Sequence, residues 1–137
     1  MPEDNETILT ARCNCGALSA ICIRPPIRVS VCHCLDCKRR TGSAFSWNAR
    51  FSLAQVRIEG EAASWRQAGP SGATTTRRFC PLCGVTIAYA SDVEPEVVAI
   101  PCGTFADPGI LAPHRTAWAE RRNPWVEITA EPMEFGH

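Results

Sequence analysis

Residues 32–51 read CHCLDCKRRTGSAFSWNARF. The stretch opens with Cys32, Cys34 and Cys37. Side chains two apart in an extended segment point the same way, and cysteines three apart can wrap a knuckle whose backbone N–H groups face the sulfurs. The following DCKRRTGS, residues 36–43, has room for one or two helical turns closed by Gly42, a residue suited to a left-handed helix end. Phe45, Trp47, Ala49 and Phe51 then recur with a period of two, the mark of a strand with one apolar face. Metal knuckle, short helix and strand therefore follow one another within a single short segment.

Outward from this stretch, helical periodicity is scarce, and short alternating runs bounded by Gly, Pro or charged residues recur along the chain. The run ALSAICIR, residues 17–24, alternates and stops at Pro25 and Pro26, which a central strand does not accommodate. Further strands are predicted near 55–59, 62–68, 74–79, 85–90, 96–101 and 125–129. The expected fold is mostly β, built of short antiparallel sheets in a single domain over residues 7–132, with tails at 1–6 and 133–137. A chain of 137 residues is the usual size for one core and short for two.

Composition excludes several classes. Hydrophobic residues make up 45% and charged residues 20%, which is globular rather than disordered. The 14 basic and 14 acidic side chains cancel, so the bulk attraction that drives nucleic-acid or anionic-membrane binding is missing. The opening MPEDNETILT is polar and acidic and lacks the basic-then-apolar order of a secretory signal, and no run has the roughly 20 apolar residues of a membrane span. The expectation is a cytoplasmic protein with neither a nucleic-acid nor a membrane partner.

Nine cysteines are many for a reducing compartment, and an odd number leaves at least one unpaired. Seven fall into three groups: Cys13 and Cys15 in CNCG, Cys32, Cys34 and Cys37 in CHCLDC, and Cys80 and Cys83 in CPLCG. Thiolate-only ligation favours Zn²⁺ over hard cations. Cys13, Cys15, Cys80 and Cys83 would close a four-sulfur structural site, with Gly16 and Gly84 making the turns after each pair. Cys32, Cys34 and Cys37 would leave a fourth position open, the pattern of a catalytic rather than a structural zinc. The alternative is closure by His33, Cys102 or His114. A thioredoxin-like CxxC would need a βαβ context that neither CLDC nor CPLC has, and the spacings do not match those of ferredoxins. Cys22, inside an alternating strand, reads as a small buried hydrophobe.

Taken in order, CNCGAL, CHCLDCKRRTGSAF, FCPLCG, GTFADPG, then Pro113, His114 and NPWVE, the sequence resembles the glutathione-dependent formaldehyde-activating enzyme family, whose domain is shared with centromere protein V. The resemblance spans residues 11–128. It implies a β-tent fold, a structural zinc at Cys13, Cys15, Cys80 and Cys83, and a second zinc at Cys32, Cys34 and Cys37. The implied activity is carbon–sulfur lyase chemistry: condensation of formaldehyde with glutathione to S-(hydroxymethyl)glutathione, and its reversal. Zinc, two per chain, is the expected cofactor and a small thiol, glutathione for the family, the expected partner. Arg39, Arg40, Arg77 and Arg78 are candidates for binding carboxylates, and His114 for proton transfer. The competing reading is a non-catalytic zinc-stabilised binding module, since fold alone does not determine function.

Overall fold

The computed structural model describes residues 7–69, 71–129 and the backbone of 133–134. Two sheets form. In the smaller, β2 (Ser19–Ile23) lies between β1 (Ile8–Arg12) and β5 (Val56–Glu59), antiparallel to both. The larger contains β3 (Arg28–Cys32), β4 (Ser46–Ser52), β6 (Ala63–Ala68), β7 (Thr74–Phe79), β8 (Thr86–Ser91), β9 (Val97–Pro101), β10 (Arg115–Ala117) and β11 (Met133–Glu134). Its spatial order is β11-β10-β3-β4-β9-β8-β7-β6. The fold is mostly β and a single domain, as the alternating runs predict.

Alternation builds the core. Trp47, Ala49 and Phe51 face the small sheet, where Phe51 and Ala49 join Leu18, Ala20, Cys22, Ile87, Val98 and Ile100 in one buried cluster. Removing a side chain the size of Phe51, Leu18 or Ile100 from water contributes about 1.5–3 kcal/mol each. Ser46, Asn48 and Arg50 point the other way, and so do Ser30 and Cys32, which pair with Asn48 and Ser46 on β3. The large sheet thus has an apolar face under the small sheet and a polar face that carries the chemistry.

The helix α1 (Leu35–Thr41) begins where β3 ends. Gly42 stops it at φ 68°, its N–H donating to Lys38 O at 2.8 Å. Lys38 Nζ donates to Arg121 O at 2.6 Å and to Asn123 Oδ1, which fastens α1 to the segment after β10.

Three features depart from the sequence reading. No strand forms over 125–129: Pro124 has no N–H, and Val126 N–H closes a turn on Asn123 O at 2.9 Å, leaving Trp125 76% exposed. The alternation did not single out β1, β3 and β10, yet β3 lies in the middle of the large sheet. The third departure is that β10 runs parallel to β3, pairing Arg115 with Ser30 and Ala117 with Cys32, and parallel to β11 on its other side. The short antiparallel sheets therefore gain parallel pairings at one edge. The tail expected at 1–6 lies outside the described residues, and within that expected at 133–137 the backbone of Met133–Glu134 is the strand β11. Among the described residues no helix is long and apolar enough to cross a membrane.

Candidate metal centres

Two loops of matching design build the first cluster. After β1, Cys13 N–H donates to Leu18 O at 3.0 Å and Gly16 N–H to Cys13 O at 3.1 Å; after β7, Cys80 N–H donates to Val85 O at 3.0 Å and Gly84 N–H to Cys80 O at 2.8 Å. Gly16 and Gly84 turn at φ 84° and 83°, a region costly for any residue with a Cβ. Backbone N–H groups face the sulfurs: Leu18 N lies 3.3 Å from Cys13 Sγ and Leu82 N 3.4 Å from Cys80 Sγ. The four sulfurs lie within 4.8 Å of one another.

The donor set fits a tetrahedral metal. Four sulfurs at about 2.3 Å from Zn²⁺ would be about 3.8 Å apart. Cys13 and Cys15 Sγ are 3.7 Å apart, and Cys15 and Cys80 Sγ 3.6 Å. A disulfide would hold them near 2.05 Å. The Val85 and Cys15 backbone N–H groups bring the exposed Cys83 thiol down to about 6, toward the thiolate that a metal requires.

The second cluster forms where β3 passes into α1. Cys32 ends the strand, Cys34 is the residue that caps the helix, and Cys37 lies in its first turn. Cys34 is extended at φ −64° and ψ 159°, and its Sγ accepts the Cys37 N–H at 3.3 Å. Their sulfurs also fall within 4.8 Å of one another, and no further His, Cys or carboxylate joins them among the described residues. The CLDC pair does start a helix, but β3 and β4 on either side of α1 pair antiparallel, so the βαβ setting of a thioredoxin motif is absent. Sulfur acts on sulfur here. The hydrogen bond from Cys32 is the largest of the effects that take Cys37 down to about 5, against burial, with Ser46, Cys34 and Arg40 assisting. The same bond, with burial, pushes Cys32 up.

The other ligands considered from sequence lie elsewhere. Cys102 is 1% exposed in the apolar core, and burial pushes it, like Cys22, up to about 12. His33 is also buried, its ring centroid 5.7 Å from that of Phe45. Burial holds its pKa down, and the charges of Arg122 and Lys38 lower it further. His114 is exposed ahead of β10, with its N–H on Val29 O at 3.0 Å. Ala117, three residues on, is the one that pairs with Cys32, so His114 is about 10 Å back along the ladder from the second cluster.

Cys34 and Cys37 form one wall of a cleft of about 200 Å³, shared with Asp36, Arg40, Gln67, Thr75, Arg77 and Tyr89. The register Trp65–Arg77–Tyr89 across β6, β7 and β8 carries these side chains to the cysteines. Arg40 lies 4.6 Å over the Tyr89 ring, and Arg77 lies 5.0 Å over Trp65. Arg39 and Trp65 extend the cleft on one side, and Leu35, Trp118 and Arg121 on the other. Of the four arginines that the sequence offers as carboxylate partners, Arg40 and Arg77 line this cleft and Arg39 its extension, whereas Arg78, the next residue along β7, does not. Gln67, Thr75 and Tyr89 carry no signal of their own in the sequence, since only the strand register brings them there, and Trp65, which by itself reads as a core or rim residue, arrives by the same register.

A family model described as glutathione-dependent formaldehyde-activating enzyme matches residues 8–121. The chain belongs to the glutathione-dependent formaldehyde-activating enzyme family. All seven clustered cysteines fall inside the span matched by that family's model. The fold is also similar to the crystal structure of a Rhodobacter sphaeroides protein, at a TM-score of 0.57 and 18% identity, over 94% of this chain and all of that one. At that identity the likeness concerns the fold alone. No curated protein matches the chain.

Proposed function

We propose that this family member is a zinc-dependent carbon–sulfur lyase that joins a small thiol to an aldehyde, with S-(hydroxymethyl)glutathione as the adduct and cleavage of that adduct as the reverse reaction. The observation that carries the proposal is the three-cysteine cluster, joined by no fourth protein ligand among the described residues and set in the wall of a cleft lined by arginines. One zinc would be held by Cys13, Cys15, Cys80 and Cys83 and another by Cys32, Cys34 and Cys37. When bound at the second cluster, zinc stabilises a thiolate at neutral pH and holds it in place. Three cysteinates already surround it there, so positioning of the sulfur outweighs polarisation of the carbonyl.

The chain's own residues supply the rest. Arg40 and Arg77 offer bidentate partners to the carboxylates of a peptide thiol, and Asp36 offers a partner to an ammonium group. Held this way, the sulfur is presented to the aldehyde carbon, and proximity replaces a bimolecular encounter. The C–S bond forms as the carbonyl π pair moves to oxygen, and the proton lost by the thiol ends on that oxygen. Reversal returns thiol and aldehyde. Chemistry of this kind, dependent on reduced cysteines, suits a cytoplasmic enzyme.

Cobalt-substituted protein titrated with glutathione tests the proposal. A new sulfur-to-cobalt charge-transfer band should appear on thiol addition, and formaldehyde should then be consumed faster than in protein-free buffer. Arg77→Gln should raise KM by about 10–100-fold with kcat little changed, the size of losing a charged hydrogen bond. If no thiol perturbs the cobalt spectrum and formaldehyde turnover stays at the background rate, the chain is a binding module and not this lyase.

A further inference from the structure

The cleft beside the three-cysteine cluster follows two elements at once, and its character changes from end to end. On one wall the residues of α1 succeed one another from Arg39 and Arg40 through Cys37 to Cys34 and Leu35. The other wall is the β6–β7 hairpin, which runs from the Trp65–Arg77 pair through Gln67–Thr75 to a turn where Gly69 N–H donates to Ala73 O at 2.7 Å. Each pair of residues advances a strand by about 6.7 Å, so the arginine end and the turn are about 13 Å apart, with the cysteines between them.

Past Cys34 the cleft widens into a trough of about 570 Å³, against about 200 Å³ at the cysteines. Cys34, Asp36, Gly69 and Thr75 border both spaces, so the two are continuous. Leu35 from α1, Ala73 from the hairpin and Trp118 from the end of β10 give the trough its apolar surface. Leu35 is 51% exposed, and that surface stands in water until a ligand covers it. Trp118 follows Ala117, the residue paired with Cys32, and takes φ 56°, a conformation rare for a bulky side chain and found where a site demands it. A one-carbon aldehyde is little larger than a water molecule, whose share of liquid volume is about 30 Å³, and would leave this trough almost wholly to solvent.

We infer that the trough is a subsite for an apolar chain on the carbon that joins the sulfur, so that the substrate class extends from formaldehyde to aldehydes with a longer alkyl group. This deepens the function proposed above and rests on it. The arginine end takes the carboxylates of the thiol, and the trough, across the cysteines from it, takes what the aldehyde carries. The S–H bond adds across C=O as before: the C–S bond forms, the proton ends on oxygen, and the alkyl group stays on the carbon, lying against Leu35, Ala73 and Trp118.

Stable thioethers test the trough without turnover, because their alkyl group occupies the place of the adduct's carbon. S-methyl-, S-butyl- and S-hexylglutathione, titrated into zinc-loaded protein by calorimetry, should bind with an affinity that rises about 2–4-fold per methylene, the upper figure for complete burial. Leu35→Ser and Ala73→Gln, one on each wall, should flatten that rise and leave the binding of S-methylglutathione and the turnover of formaldehyde unchanged. In the turnover assay, hexanal should show a higher kcat/KM than propanal, whose carbonyl is equally reactive. Equal affinity along the series, or a rise that survives both substitutions, would overturn the subsite and leave the lyase reading to the formaldehyde assay. A rise that both substitutions flatten, with formaldehyde and hexanal turnover at background, would establish the subsite and overturn the lyase reading alone. Failure of every member of the series to bind would remove the thiol site and the trough together.

Discussion

At the residue scale, the two cysteine groups differ in what depends on them. Cys80 is fully buried and joins a loop on the large sheet to one on the small sheet, so its sulfur is part of the framework. Cys34 is half-buried in a cleft wall at the start of a single short helix. Metal affinity at a four-thiolate site is folding free energy, of order 10 kcal/mol. Cys80→Ser is therefore expected to leave little folded protein, measured by circular dichroism and thermal unfolding. Cys34→Ser should keep the fold, lose one metal by elemental analysis and abolish turnover. Spacing made the seven candidate ligands legible in the sequence, because two thiolates a few residues apart can form half a site through local backbone geometry. Tyr89, Trp65 and Gln67 had no such signal. Their role in the cleft comes from pairing between strands, and any isolated strand residue reads as ordinary packing.

At the element scale, the loops decide how the sheets meet. Gly60 follows β5 at φ 103°, and a Cβ there would fall 2.1 Å from Ala17 O, on the loop of the first cluster. Gly60→Ala is expected to destabilise the fold by about 2 kcal/mol or more, by adding backbone strain to a clash that no side chain can relieve. Urea unfolding measures it. On the opposite side, Arg28 on β3 donates to Glu94 in the β8–β9 connection at 2.8 Å, and that hydrogen bond holds the Glu94 carboxyl below its ordinary range. A depressed carboxyl stabilises the fold at pH values above about 4.3, and that contribution is lost as the pH falls through its folded value. With side chains 22% and 44% exposed, the pair is worth less than about 1 kcal/mol. Glu94→Gln should thus cost less than that at pH 7, and its unfolding curve should approach that of the unaltered protein near pH 3. Most of the predicted strands that matched have an apolar face on the core and breakers at their ends; β6, exposed along nearly its whole length, is the exception. By contrast, β10 has three residues and is held by β3, so nothing within its own sequence marks it; the stretch 125–129 looked like a strand but has no partner.

At the scale of the whole molecule, the first cluster ties the two sheets together at the rim of their shared core. Removal of metal with a strong chelator should accordingly unfold the chain cooperatively, and readdition of zinc should restore the native circular dichroism. Two zinc ions per chain are expected by elemental analysis. Seven cysteinates and two Zn²⁺ together would add about −3 to a formal charge of zero, so the loaded protein should migrate as an anion at neutral pH. The cationic cleft of Arg39, Arg40 and Arg77 would then be a local exception on an acidic molecule, suited to drawing in an anionic thiol.

Local chemistry in the sequence determined the mostly β class, the two cysteine clusters that could hold a metal, the positive-φ glycines after the first pair of loops and the helix stop at Gly42. Each of these follows from a few neighbouring residues, through side-chain alternation, ligand spacing or backbone sterics. Tertiary structure alone decided that β3 is central, that β10 runs parallel beside it, that among the described residues no further His, Cys or carboxylate joins Cys32, Cys34 and Cys37, and that Arg77 and Tyr89 share their cleft. Those facts depend on register between strands distant in the chain, where a slip of one residue would turn every side chain to the opposite face.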